Sequence, residues 1–259
     1  MGLVKRVVNF PYRLYKQREY NKTTASNPQH NDVYIVEFPK SGITWLSTLL
    51  ANVALVSSGR KEIANFTAAH LYIPDIHLTR NISEPIYHTP PVRLIKSHAK
   101  FNPNYLFVIL LVRHPLNVMK SYYRYLRELG VNVGDFNNFI QSEKYGIPEW
   151  KRHVNSWLTG GVIAQRLHLC KYEDFLIEPH IQIQCILDNF GWHVADNAID
   201  EAVKRSNIDR MKASEELYRQ KNPRYTMKFI KGRQFEVDSN TADYINTICK
   251  EELRLIGYE

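Results

Sequence analysis

The stretch VYIVEFPKSGITWLSTLLANVALV, residues 33–56, runs from a β-branched apolar segment through a glycine-containing turn into a second apolar segment of helical length. Residues 33–38 are short, apolar and followed by Pro39, which predicts a buried strand. Residues 45–56 predict a helix ended by Ser57, Ser58 and Gly59. Strand, turn and helix in this order form the phosphate-binding βα arrangement. Gly42 lets the backbone curl so that successive N–H groups point into one concavity, and the helix adds the positive end of its dipole. Lys40 sets a mobile ammonium beside this nest, Thr44 offers a hydroxyl, and Trp45 an aromatic face on which a purine can stack. The pattern GxxxxGK[ST] is absent, so this is not a Walker A loop. Alone, a KSG turn equally suits an ordinary strand-to-helix connection.

Three more strands are expected at VRLIK (92–96), LFVILLV (106–112) and RLHLCKY (166–172). The run 106–112 is apolar throughout, as at the centre of a parallel sheet covered on both faces. A helix follows Arg113, with Pro115 in its first turn and Gly130 beyond its end. Others are expected over 147–158, 178–190, 196–206 and 240–256, the last closed by Gly257. Strands alternating with helices make an α/β domain of three layers, a mostly parallel central sheet flanked by helices. Residues 1–32 are read as a basic segment and a polar linker (NKTTASNPQHND, 21–32), and 33–259 as the single domain.

Two further strand ends carry candidate chemistry. The run 106–112 leads into RHPLNVMKS (113–121). Arg113 sits at the carboxyl end of its strand, the edge where open α/β sheets bind ligands, and Ser121 lies about two turns along the next helix. A guanidinium fork and a hydroxyl can share one phosphate. In Walker-type kinases this kind of strand often ends in an aspartate that holds magnesium. Arginine here argues for a second anion site and against metal-dependent ATP chemistry, so no metal is expected. Lys96-Ser97-His98 ends the second strand; histidine is suited to take a proton near neutral pH, and Lys96 projects to the same face as His98. A lone histidine among ten is more often structural. Three strand ends on one rim make this one a candidate.

The chain carries a formal charge of +8, with 34 Lys and Arg against 26 Asp and Glu. Such an excess favours a polyanion: nucleic acid, anionic lipid or a multiply phosphorylated nucleotide. Three cysteines without metal spacing fit a reducing, cytoplasmic compartment. No apolar run reaches the roughly 18–20 residues of a membrane span. Residues 1–20 mix Leu3, Val4, Val7, Val8 and Leu14 with Lys5, Arg6, Arg13, Lys16 and Arg18. Such a segment either packs as a terminal helix on its own domain or makes a peripheral contact with an anionic membrane.

PKSGITW (39–45), KSH (96–98) and RHPLNVMKSYY (113–123) together resemble the cytosolic-type sulfotransferase family that uses 3′-phosphoadenosine 5′-phosphosulfate (PAPS), whose motifs read PKSGTTW, K-[TS]-H and R-x-P-x-x-V-x-x-S-Y-Y. KYEDF (171–175) with Glu178-Pro179, SNIDRMK (206–212) and, faintly, FIKG (229–232) extend the likeness over roughly 33–257. The resemblance implies a P-loop NTPase-like fold and transfer of a sulfuryl group from PAPS to an acceptor hydroxyl, releasing 3′-phosphoadenosine 5′-phosphate (PAP). It implies that Lys40 and the backbone of Ser41, Gly42 and Thr44 hold the 5′-phosphosulfate, and that Trp45 stacks on adenine. It also implies that Arg113 and Ser121 bind the 3′-phosphate and that Tyr172 and Ser206 lie near the nucleotide. By the same resemblance His98 would be the catalytic base, and Lys96 would stabilise the transferring group. Ile43 replaces a family threonine but keeps its N–H; Ile208 replaces an aromatic; Ile230 replaces an arginine, leaving Lys231, Gly232 and Arg233 as the late contacts. The acceptor would be a small molecule, a glycan or a lipid-linked hydroxyl, with no nucleic acid partner. A small P-loop kinase, and a non-catalytic nucleotide- or sulfated-glycan-binding module, are the alternatives.

Overall fold

The computed structural model describes residues 15–223 and 236–258. Its centre is four parallel strands, β1 (Val33–Glu37), β2 (Leu94–Ser97), β3 (Phe107–Val112) and β4 (Arg166–Lys171), in the order β2-β1-β3-β4. The expected strands are all present, with boundaries moved by one or two residues. The register pairs Val33 with both Leu94 and Phe107, and Phe107 with Arg166. The carboxyl ends of all four strands therefore reach the same edge.

Both faces are covered at the centre of the sheet, which is why β1 and β3 are apolar with almost no alternation. Tyr34, Val36, Val108, Leu110 and Val112 face one core layer, and Val33, Ile35, Ile109, Leu111 and Cys170 the other. A helix over residues 15–22, α1, precedes the sheet. Helix α2 (Ile43–Ser57), buried over most of its length, follows β1, and a single turn, α3 (Ala69–Tyr72), comes after it. Helix α4 (Pro115–Glu128) follows β3 with Pro115 in its first turn, and buries Val118, Met119, Tyr123 and Leu126 along one side. Helices α5 (Phe136–Gln141) and α6 (Ile147–Gly160) complete that layer with the C-terminal helices.

After β4 come α7 (Tyr172–Ile177), α8 (Pro179–Phe190), α9 (Asp196–Arg205) and α10 (Ile208–Lys221), with α8 and α9 in the α2 layer. The helix expected over 240–256 is two, α11 (Ser239–Ile248) and α12 (Lys250–Leu255), meeting at Cys249. Helix α10 has no counterpart in the sequence reading. Of its residues only Met211 and Glu215 are buried, too few to give an apolar stripe of period 3.6.

The polar stretch before β1 is tied to the edge of the sheet. Arg93 and Asp32 are 2% and 3% exposed and joined by a fork, Nε to Oδ1 at 2.7 Å and Nη2 to Oδ2 at 2.8 Å. The guanidinium also donates to the carbonyls of Ile82 and Asn27. A buried guanidinium deprived of its carboxylate is costly, about 3–5 kcal/mol. Asp32→Ala is therefore expected to lower unfolding free energy by that amount in chemical denaturation. A change below about 1 kcal/mol, the level of an exposed pair, would show that the segment is not held this way.

Candidate active site

The common edge opens into a cleft of about 210 Å³. One wall is the turn after β1, with Lys40, Gly42, Ile43, Thr44 and Trp45. A second carries Lys96, His98 and Asp75, and a third Arg113, Ser121, Tyr125 and Tyr172. Parallel register brings together residues up to about 130 positions apart in the chain.

The turn is closed from within. Ser41 donates both its N–H (3.1 Å) and its hydroxyl (2.8 Å) to the Phe38 carbonyl. Lys40 and Gly42 both take positive φ, 76° and 117°, a conformation that costs glycine least. Gly42 also has no room for a side chain, because an added Cβ would stand 2.3 Å from the Tyr172 ring. The Ile43 N–H, expected to face an anion, instead donates to Glu37 Oε2 at 2.7 Å. The inward bonds of Ser41 and Ile43 leave the N–H groups of Gly42 and Thr44 at the mouth of α2.

The aromatic wall explains where Ser206 belongs. The Trp45 indole is buried, donates Nε1–H to the Ser206 carbonyl at 2.9 Å and meets Tyr172 edge-on at 5.8 Å. Ser206 does not line the cleft. It lies behind Trp45, its hydroxyl accepting from Asn52 Nδ2 at 2.9 Å, so it positions the indole. Tyr172 in turn packs against the Arg113 guanidinium, whose carbon lies 4.3 Å from the ring centroid. Arg113 Nη1 donates to the Lys40 carbonyl at 3.1 Å. Its Nε is buried with no partner among the described residues. An orphaned charged donor at the strand end is what an anion-binding position requires. Lys40 extends its ammonium to 4.4 Å from the Tyr125 ring centroid.

At the other end stands His98, its side chain 31% exposed. Nδ1 lies 3.7 Å from Glu37 Oε1, and Nε2 lies 4.0 Å from Asp75 Oδ2. The His98 N–H donates to His77 Nε2 at 2.9 Å, and the two rings stack at 5.7 Å. Burial above all, then His77 and Lys96, push the His98 pKa down to about 4 against the pull of Asp75 and of the Glu37 main-chain carbonyl. The imidazole is neutral at pH 7. Glu37 moves the other way: burial raises it to about 7, opposed by the Ile43 N–H and by Lys40 and Lys96.

Glu37, Asp75, His77 and Tyr125 were not expected from sequence. Glu37 alone had a signal, a charge within an otherwise apolar strand. Asp75 reaches the site because residues 74–76 pair with Lys96 through one bridge, and nothing local announces that. Lys231, Gly232 and Arg233, like residues 1–14, lie outside the described residues. Among the described residues no group of three His, Cys, Asp or Glu side chains is placed to hold a metal, and no helix is long and apolar enough to cross a membrane.

A protein-family model described as a sulfotransferase domain matches residues 30–257. Sulfotransferase 1A1 of Bos taurus is 28% identical over 198 residues, 70% of this chain and 66% of that protein, so the chain spans about two thirds of this relative. Among solved structures, retinol dehydratase in complex with retinol and PAP superposes with a TM-score of 0.68 at 16% identity, covering 95% of this chain and 86% of that one. Mouse sulfotransferase SULT7A1 complexed with PAP gives 0.61 at 16% identity, covering 90% and 86%. The superpositions show that the P-loop-like α/β fold is shared, and with the family model spanning nearly all of the chain, this protein belongs to the sulfotransferase family.

Proposed function

We propose that this sulfotransferase holds PAPS in the cleft through Lys40, Gly42, Thr44, Arg113 and Ser121, and that His98 takes the proton of the acceptor hydroxyl. One observation carries the assignment: a single cleft collects an ammonium at the β1 turn, a guanidinium nitrogen at the end of β3 that has no partner among the described residues, and a neutral imidazole at the end of β2. PAPS supplies an electron-poor sulfuryl group and a phosphate leaving group, and PAP is the product. Sulfuryl transfer resembles phosphoryl transfer, so fixed positive charge and alignment do most of the work. Lys40 puts charge where it grows on the leaving phosphate, Lys96 stabilises the transferring group, and His98 at pH 7 is in the form that accepts a proton.

Arg113 and Ser121 serve the 3′-phosphate, with Trp45 and Tyr172 as the aromatic wall beside the base and Ser206 as the anchor of that wall. Ile43 contributes its position, since Glu37 holds its N–H. Lys231, Gly232 and Arg233 are proposed to close over the 3′-phosphate. The acceptor is proposed to be a small-molecule alcohol. Retinol, found in the structure of one relative, bears such a hydroxyl. A glycan or lipid-linked acceptor, with residues 1–20 on an anionic membrane, is the wider form of the proposal. Co-sedimentation of full-length and truncated protein with anionic liposomes separates the two; indifference of both forms removes the membrane.

Arg113→Ala is expected to weaken PAP by about 1.5–3 kcal/mol, roughly 10- to 150-fold, while leaving AMP, which lacks the 3′-phosphate, nearly unchanged. Equal losses for both nucleotides in calorimetry would remove Arg113 from the 3′-phosphate.

His98→Ala is expected to lose about 10²–10⁴-fold in turnover with PAP affinity intact. Lys40→Ala is expected to lose turnover and also weaken PAPS, since its charge meets the donor in the ground and transition states alike. A folded His98→Ala protein with most of its acceptor sulfation rate would show that the base lies elsewhere.

A further inference from the structure

The Glu37 carboxylate is 2% exposed and lies under the turn of an anion-binding site, where a negative charge opposes the ligand. One role explains its cost. Its Oε2 accepts the Ile43 N–H at 2.7 Å, which fixes the carboxylate plane on the turn. Its Oε1 faces His98 Nδ1 at 3.7 Å, and that Nδ1 is buried with no hydrogen-bond partner among the described residues. A side-chain adjustment of well under 1 Å closes this gap to a hydrogen bond.

Resting on the reading of His98 as the base, we propose that Glu37 is its positioning residue, accepting Nδ1–H so that Nε2 presents its lone pair to the acceptor hydroxyl in the cleft. A neutral imidazole carries one ring proton, and the partner of one nitrogen decides whether the other is a base. Ionised Glu37 can only accept, which places the proton on Nδ1. Protonated Glu37 donates to Nδ1 instead, the ring proton moves to Nε2, and the imidazole no longer faces the cleft as a base. The competing arrangement has Nε2–H held by Asp75, 4.0 Å away.

The groups around the dyad are Lys40 on the β1 turn, Lys96 on β2 and Tyr172 on α7 beside the carboxyl, and Asp75 and His77 on the segment beside β2 and His153 on α6 beside the imidazole. The lysines hold Glu37 down against the burial that raises it to about 7, while His98 titrates near 4. The base form of the dyad is therefore present above about pH 7 and lost as pH falls through that value, before His98 itself takes a proton.

Nitrogen-15 NMR of histidine-labelled protein, with His98 assigned from the His98→Gln spectrum, reads the tautomer without turnover. The Nδ1–H form is expected at pH 8.5 and the Nε2–H form at pH 6; Nε2–H at pH 8.5 would overturn the proposal in favour of Asp75. Kinetics give an independent readout in Glu37→Gln. kcat is expected to fall roughly 10²-fold with PAP affinity held within a few-fold. The acid limb of kcat/KM near pH 7 should disappear, and Glu37→Gln should add nothing in a His98→Ala background. An equal loss in that background, or an unmoved limb, would show that Glu37 acts on the turn alone. If the enzyme passes no sulfuryl group but His98 shows the expected tautomers, the positioning stands and the assignment of His98 as base falls.

Discussion

Parallel pairing of β1 with β2 on one side and β3 on the other is the constraint from which the site follows. A parallel ladder sets every strand's carboxyl end on one edge. Glu37 and the Lys40 turn, His98, Arg113 and Tyr172 are each the last residue of a strand or within a few residues of its end. An antiparallel partner at any position would send one of them to the opposite side of the molecule. The packing of the turn adds a second, tighter requirement. Gly42 lies against the Tyr172 ring with no space for a Cβ, so the turn after β1 and the start of the helix after β4 fix each other. The Arg113 guanidinium, stacked on that ring and bonded to the Lys40 carbonyl, joins the strand between them.

Charge is distributed to suit an anionic ligand at one end and proton transfer at the other. Lys40, Lys96 and Arg113 share the cleft with two carboxylates, Glu37 and Asp75, and both carboxylates stand at the His98 end. The orphaned Arg113 Nε is a desolvated donor that an anion relieves. A positive arrangement of this kind would repel its own groups were it not held by neutral contacts. Aromatic rings take that role: Tyr125 under the Lys40 ammonium and Tyr172 under the Arg113 guanidinium. Cations over ring faces gain attraction without the site being neutralised.

Much of this was legible in the sequence because it was local. A strand, a glycine turn and an apolar helix read directly from residues 33–56, and Arg113 and His98 were visible as polar residues at the ends of apolar runs. Helices α4, α6, α8 and α9 announced themselves by apolar periodicity or by an early proline. What stayed hidden was non-local. Asp75 and His77 reach His98 through one bridge from residues 74–76 to Lys96, and sequence spacing encodes no such contact. Ser206 was placed beside the nucleotide by resemblance, whereas its carbonyl and hydroxyl are both taken up in holding Trp45 and Asn52. Helix α10 escaped because most of it faces water. Its signal was the cap at Asn207, which accepts from the Asp209 N–H, and the basic residues in its last turn.

Glu37 shows why one substitution within a strand can change a site without changing the fold. By strand alternation its side chain falls on the face of Val33 and Ile35, the face that packs on α2. An apolar residue there would simply extend the core. A carboxylate must find donors, and those near it among the described residues are the Ile43 and Lys40 N–H groups, the two lysines and His98. Its desolvation is tolerated because these donors arrive on elements that the sheet already fixes. The same charge that secures the turn therefore meets the imidazole. The two ends of the cleft are joined through one carboxyl group, one oxygen on the turn that faces the donor and the other toward the base.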